Sequence, residues 1–147
     1  MEIAILGLGC FWEPEIKFSK LDGIIKTEVG YCGGNNKEAT YKEVCTGITN
    51  HAEVVKLDFD PKIISYEKIL EFFFEIHDPT TLNSQGPDFG TQYRSEIFFL
   101  NNNQKIIAQK VKNSIDDKHS IEVVTSISLV KNYCTAEKYH QRYLEKK

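Results

Sequence analysis

A cysteine set between a glycine-containing turn and two aromatic residues, Gly9-Cys10-Phe11-Trp12, is the first place where residue types in this sequence suggest chemistry. The reactive form of Cys is the thiolate, which a helix N-terminus favours through unpaired N–H groups and aligned peptide dipoles. Cys10 lies where an apolar strand pattern gives way to a helical one, and Phe11 and Trp12 offer an apolar wall beside it. The same residues also fit a buried Cys in a turn followed by core aromatics. A dinucleotide-binding GxGxxG loop is excluded, because Trp12 stands at the third glycine's place.

Three further segments gather polar and titratable groups. Tyr41, Cys45, His51 and Glu53 fall within thirteen residues. Glu53 opens an alternating strand, so its carboxyl faces either solvent or the interior. In the interior its pKa rises and it becomes a general acid near neutral pH. Asp88, Gln92, Tyr93 and Arg94 stand just before another strand, a position from which loop residues line clefts. Asp88 equally fits a turn beside Pro87. His140 and Gln141 lie among the aromatics of 133–143, which also suit a segment packing on a sheet.

The elements that must position these groups follow from periodicity. Glu2–Leu8 reads as a buried strand, and Pro14 requires the next helix to have it in the first turn. Residues 24–31 form a second strand, stopped by Gly33-Gly34. In 51–59, Val55, Leu57 and Phe59 alternate with charged residues, a half-buried strand. Ser65 caps a helix with Tyr66, Ile69, Leu70 and Phe73 on its apolar face. Residues 78–92 are a long loop, which in a compact domain points to function. A strand at 95–100 precedes a helix using Ile107, Val111 and Ile115. The stretch 121–129 predicts a strand with Ile121, Val123, Ile127 and Leu129 on one face, and Thr135 a cap for a last helix through Tyr143 and Leu144. The expected class is α+β: a two-layer sandwich with helices covering a mixed sheet, in one catalytic domain over 1–147.

Composition narrows the function classes. Charge is even, with 18 basic and 21 acidic residues and no Lys/Arg cluster, so no nucleic-acid footprint is expected. Apolar runs are too short to span a bilayer, and Met1-Glu2-Ile3 lacks the basic start of a secretory signal. The four cysteines, Cys10, Cys32, Cys45 and Cys134, match neither a CxxC pair nor zinc spacing, so no metal is expected. They are too sparse for a disulfide scaffold, which favours a reducing cytoplasm.

Taken together, the segments resemble the A-type peptide methionine sulfoxide reductases. The matching residues are Gly9-Cys10-Phe11-Trp12, Tyr41-Lys42-Glu43-Val44-Cys45-Thr46-Gly47 through His51-Ala52-Glu53, and His77-Asp78-Pro79-Thr80-Thr81-Leu82-Asn83. Gln85-Gly86 through Asp88 to Tyr93-Arg94-Ser95, Ala136-Glu137 and Tyr139-His140-Gln141 complete the set, in order along nearly the whole chain. The resemblance implies a ferredoxin-like plait and reduction of methionine-S-sulfoxide. It implies Cys10 as nucleophile, Glu53 as the acid that protonates the sulfoxide oxygen, and Tyr41 and Tyr93 as donors to that oxygen. It further implies Asp88 on the polar side, with Phe11 and Trp12 clasping the S-methyl group. Substrates would be oxidised proteins, peptides and free methionine sulfoxide.

Turnover would leave Cys10 as a sulfenic acid. No bound cofactor is expected, but an external thiol reductant is: thioredoxin, glutaredoxin or glutathione. Relatives often carry recycling cysteines in a tail, and the sequence reaches Lys147 without one. Cys134, Cys32 or Cys45 then resolves the sulfenic acid, or the external thiol attacks it directly. Two departures from the family pattern stand out: Glu13 follows Trp12 where glycine is common, and Cys32 precedes the glycine pair where a small residue is usual. Rival readings are a peroxidase, a Cys–His hydrolase with His51 or His140 as base, a module that binds oxidised methionine, and a zinc protein.

Overall fold

The computed structural model describes residues 1–118, 120 and 122–146. It is α+β. The chain runs β1 (Glu2–Leu8), α1 (Trp12–Ser19), β2 (Ile24–Cys32), α2 (Tyr41–Cys45), β3 (Ala52–Phe59) and α3 (Tyr66–Glu75). It continues with β4 (Ser84–Gln85), β5 (Asp88–Phe89), β6 (Ser95–Phe99), α4 (Asn102–Asp116), β7 (Ser126–Leu129) and β8 (Cys134–Thr135). Six strands make one mixed sheet in the order β7-β6-β1-β3-β2-β8, while β4 and β5 form a separate small hairpin. Among the described residues, only β6 and β7 pair in parallel.

Alternation along the central strands separates two apolar faces. Ala4, Leu6 and Leu8 of β1, with Val55, Leu57 and Phe59 of β3, join Phe18 of α1, Leu70 and Phe73 of α3 and Val111 of α4 in one core. Ile5, Val54 and Phe98 turn to the other face, under Val130 and Tyr133. Ser65 caps α3 by accepting the Lys68 N–H at 3.1 Å, as its sequence position predicts. Pro14 is the third residue of α1, where its missing N–H costs nothing.

Two expectations fail near the C-terminus. Only Ser126–Leu129 of the stretch 121–129 is a strand; Ile121 lies outside the described residues. Val123 is buried ahead of that strand, its N–H held by Asp116 at 2.9 Å, and Leu129 is exposed rather than on the inner face. Among the described residues the last helix is also absent. Cys134 and Thr135 pair with β2, and two 3₁₀ turns, Lys138–His140 and Leu144–Lys146, follow. Tertiary hydrogen bonds override helical propensity here. Gln141 takes the Val29 N–H at 2.9 Å and donates to the Val29 carbonyl at 2.8 Å, completing the edge of β2. Arg142 then adopts φ 52° and gives its N–H to the buried Glu15 carboxylate at 2.7 Å.

Candidate active site

The end of β1 sets the nucleophile. Gly9 has φ +97°, and a Cβ there would stand 2.8 Å from the Gln85 side chain, so only glycine lets the 84–89 hairpin close over this turn. Cys10 follows immediately, partly buried, at the threshold of α1. It lines an open cleft of about 380 Å³ with Leu8, Trp12, Glu13, His77 and Asp88 among its walls.

Glu53, at the start of β3, is 1% exposed. Its Oε1 accepts the Phe11 N–H at 3.3 Å, and its buried Oε2 has no protein partner. Burial pushes its carboxyl up to about 8, against the Phe11 hydrogen bond and with help from the Asp88 charge. The carboxyl therefore carries a proton at neutral pH, beside the thiol.

The expected thiolate at the helix N-terminus does not hold. Burial pushes the Cys10 thiol up to about 11, outweighing the hydrogen bond from the Trp12 backbone, and the charges of Glu53, Asp88 and Glu13 add to the rise. Desolvation above all, with the carboxylates of Asp88 and Glu13, exceeds what one helix end supplies. The resting site is thus a neutral pair, thiol and carboxylic acid.

Tyr93, in the 3₁₀ turn Thr91–Tyr93, is pushed up to about 12 by burial and by the nearby charges of Glu53, Cys45, Asp88 and Cys10. Burial likewise raises Tyr41, whose hydroxyl hydrogen-bonds with Cys45 one turn along α2. Both phenols stay protonated donors. The structure therefore brings Cys10, Glu53, Asp88, Tyr41 and Tyr93 into one electrostatic neighbourhood. Trp12 lines the cleft, but Phe11 is 1% exposed and packs against Tyr31 and His140, behind the surface.

Other sequence candidates hold the frame. His51 accepts the Gly34 N–H at 3.1 Å on Nδ1, and its Nε2 meets the Asn36 carbonyl at 2.7 Å. Arg94 pairs with Glu96 at 2.6 Å. His140 accepts the Trp12 indole N–H at 3.0 Å. The hydrogen bonds of His51 and His140 thus go to Gly34, Asn36 and Trp12 rather than to Cys10. Among the described residues, no cluster of three or more His, Cys, Asp or Glu is placed to hold a metal ion, and no helix is long and apolar enough to cross a membrane.

Glu137 escaped the reading of side-chain roles. It accepts the Tyr31 hydroxyl at 2.7 Å and the Tyr41 N–H at 2.8 Å, anchoring the start of α2 to β2. Its place beside Ala136 in the matched motif was the available signal. The capping box of Thr40 and Glu43, visible as Thr-x-x-Glu, could have predicted α2 itself.

Cys134 sits on β8, with β2 and β3 between it and β1. Three strand spacings put about 14 Å between β8 and β1, the strand that leads into the Cys10 turn, which is more than a disulfide spans. Cys32 is fully buried, its thiol donating to the Lys131 carbonyl at 3.4 Å, and Cys45 is exposed.

Comparison with known proteins agrees with this geometry. The family model described as peptide methionine sulfoxide reductase matches residues 2–147. The chain belongs to that family. A peptide methionine sulfoxide reductase MsrA from Pelagibacter ubique is 78% identical over 147 residues, covering all of both chains. A probable reductase of Schizosaccharomyces pombe is 52% identical, over 99% of this chain and 89% of its own length. Among solved structures, reduced Mxr1 from Saccharomyces cerevisiae superposes with a TM-score of 0.95 at 40% identity, over 99% of this chain and 84% of that one. Mxr1 in complex with Trx2 matches with a TM-score of 0.68 at 26% identity, over 97% of this chain and 84% of that one. The reductase described here is therefore an oxidoreductase of the same α+β architecture.

Proposed function

We propose that residues 1–147 form one catalytic domain that reduces methionine-S-sulfoxide, free or in peptides and proteins, to methionine. The core order β6-β1-β3-β2, linked as β1-α1-β2-β3-α3-β6, supports reading the fold as a ferredoxin-like plait widened at its edges by β7 and β8.

Cys10 gives up its proton and attacks the sulfoxide sulfur. Glu53 delivers a proton to the sulfoxide oxygen, which is a poor leaving group as an anion. Tyr41 and Tyr93 donate hydrogen bonds to that oxygen as charge grows on it, and Asp88 holds the polar side of the cleft. Trp12 receives the S-methyl group, with Phe11 supporting the surface from behind. The sulfur–sulfur adduct then breaks as its hydroxyl shifts from the substrate sulfur to the Cys10 sulfur, which leaves Cys10 as a sulfenic acid and the substrate as a thioether, and the proton released by the thiol restores Glu53. The observation that carries this reading is the buried Glu53, whose Oε1 accepts the N–H of Phe11, the residue after Cys10, and whose Oε2 has no protein partner.

An external thiol then reduces the sulfenic acid, releasing water and forming a mixed disulfide that a second thiol resolves. Thioredoxin is the reductant this reading favours, with glutaredoxin or glutathione as alternatives; the complex of the yeast relative with Trx2 supports that choice. The distance across β3 and β2 favours this route over direct capture of Cys10 by Cys134. No bound cofactor is needed, and a reducing cytoplasm suits an enzyme run on thiols.

Trapping with a carbon nucleophile specific for sulfenic acids tests the sequence of steps. After one turnover without reductant, mass spectrometry should find the adduct on Cys10. An adduct on another cysteine, or none despite product formation, contradicts it.

A further inference from the structure

His140 is buried, at 1% exposure, yet the catalytic steps above leave it unused. Its Nδ1 accepts the Trp12 indole N–H at 3.0 Å, so in the neutral ring the proton sits on Nε2. That Nε2 is itself buried without a protein partner. The opposite side of the indole is fixed as well: Trp12 stacks on Tyr143 with 3.9 Å between ring centroids at 18°. Trp12 is the chain's one tryptophan, and it forms a wall of the cleft beside Cys10.

We propose that His140 is a positioning residue which, in its neutral form, holds the Trp12 indole at the angle that accepts a methyl group, and that protonating His140 releases the indole. This rests on the reading that Trp12 meets the substrate methyl. The physical reason is donor–acceptor parity. Imidazolium carries protons on both nitrogens, so its Nδ1–H would face the Trp12 N–H, donor against donor, and the bond would be lost.

The surroundings favour the neutral form. Phe11, Tyr41 and Tyr139 pack on the ring with centroids at 5.2, 4.4 and 4.2 Å. Tyr41 comes from α2 and Tyr139 from the same turn as His140. Burial lowers the His140 pKa from its ordinary value, and the Glu137 carboxylate, itself held by Tyr31 and Tyr41, opposes that.

The lone tryptophan makes a direct test possible, because protein emission excited at the red edge of the indole band reports Trp12 alone. Wild-type emission should titrate once, below the ordinary histidine range, without substrate present. His140→Asn, which keeps an acceptor near the Nδ1 position, should abolish the titration and retain a KM for methionine sulfoxide close to wild type. His140→Phe, which keeps the aromatic packing but removes the acceptor, should raise KM on the order of tenfold. It should change kcat less, and weaken discrimination between methyl and ethyl sulfoxides. Emission that stays flat across acid pH in wild type, or equal KM effects in both variants, would overturn the proposal. A failure of Cys10 to reduce sulfoxide would instead overturn the catalytic reading and leave the substrate-free titration as evidence on His140.

Discussion

Replacing Glu53 by Gln keeps the side chain's shape and an acceptor for the Phe11 N–H, but removes the proton. The structure gives that proton two consequences. General-acid transfer contributes roughly 10²–10⁴-fold to such steps, so the single-turnover rate of Glu53→Gln at pH 7 should fall by about that factor. The second consequence is the shape of the pH profile. With Cys10 raised to about 11 and Glu53 to about 8, attack by thiolate under a protonated acid depends on the product of two fractions. Below pH about 8 the thiolate fraction rises tenfold per unit while Glu53 stays protonated. Between about 8 and about 11 the gain in thiolate is cancelled by loss of the acid, and the rate levels. The variant has no acid to lose, so its rate should keep rising through this interval, and its deficit should shrink about tenfold per pH unit. The assay is the second-order rate constant for a blocked methionine-S-sulfoxide at low concentration, with prereduced protein and rapid quenching, since that constant reports the free enzyme. A wild-type rate that climbs past pH 8 without levelling would refute the reasoning. So would a variant that levels at the same pH.

The same substitution should also act on stability. Glu53 binds its proton more tightly folded than unfolded between pH 4.5 and about 8, so wild-type stability falls as pH rises across that window. Glu53→Gln should therefore gain in Tm relative to wild type from pH 5 to pH 8 by calorimetry, and a constant difference would contradict the burial argument. Gly9→Ala should cost about 1–3 kcal/mol in urea unfolding and slow turnover, because the residue at φ +97° gains a Cβ against Gln85; wild-type behaviour would mean the turn relaxes freely. Glu15→Ala should cost about 3 kcal/mol, since it strips partners from the Thr27 hydroxyl and the Arg142 N–H, while the chemical step of the remaining folded protein stays near wild type. A loss below about 0.5 kcal/mol would show that water replaces the carboxylate.

Legibility of the sequence differed by physical cause. Alternating residues such as Val55, Leu57 and Phe59, and a local cap such as Ser65, carry their structural reason within a few positions, and those elements stand where periodicity places them. The C-terminal segment does not. Its conformation is set by Gln141 gripping Val29 and Glu15 gripping Arg142, partners more than a hundred residues away, so a helical pattern was overruled. The site shows the same division. Residue types and ordered motifs pointed to Cys10, Glu53, Tyr41, Tyr93, Asp88 and Trp12; Cys10, Trp12 and Asp88 line the cleft, while Glu53, Tyr41 and Tyr93 are not among its walls. The state of Cys10 was not legible, because its elevated pKa comes chiefly from burial, with Asp88 on a distant segment adding to it. Cys134 read as adjacent to a helix, and only strand order reveals how many strands part it from Cys10.

The central claim is that Cys10 reduces one epimer of methionine sulfoxide with no help beyond its own fold. Its most direct test is single-turnover reduction of both epimers of a blocked methionine sulfoxide by prereduced protein without added reductant, followed by a free-thiol count. The account predicts loss of the S epimer alone, abolished by Cys10→Ser, with one thiol consumed per turnover. Two thiols consumed would contradict the external-thiol route, and no reduction of either epimer by folded protein would contradict the catalytic reading itself.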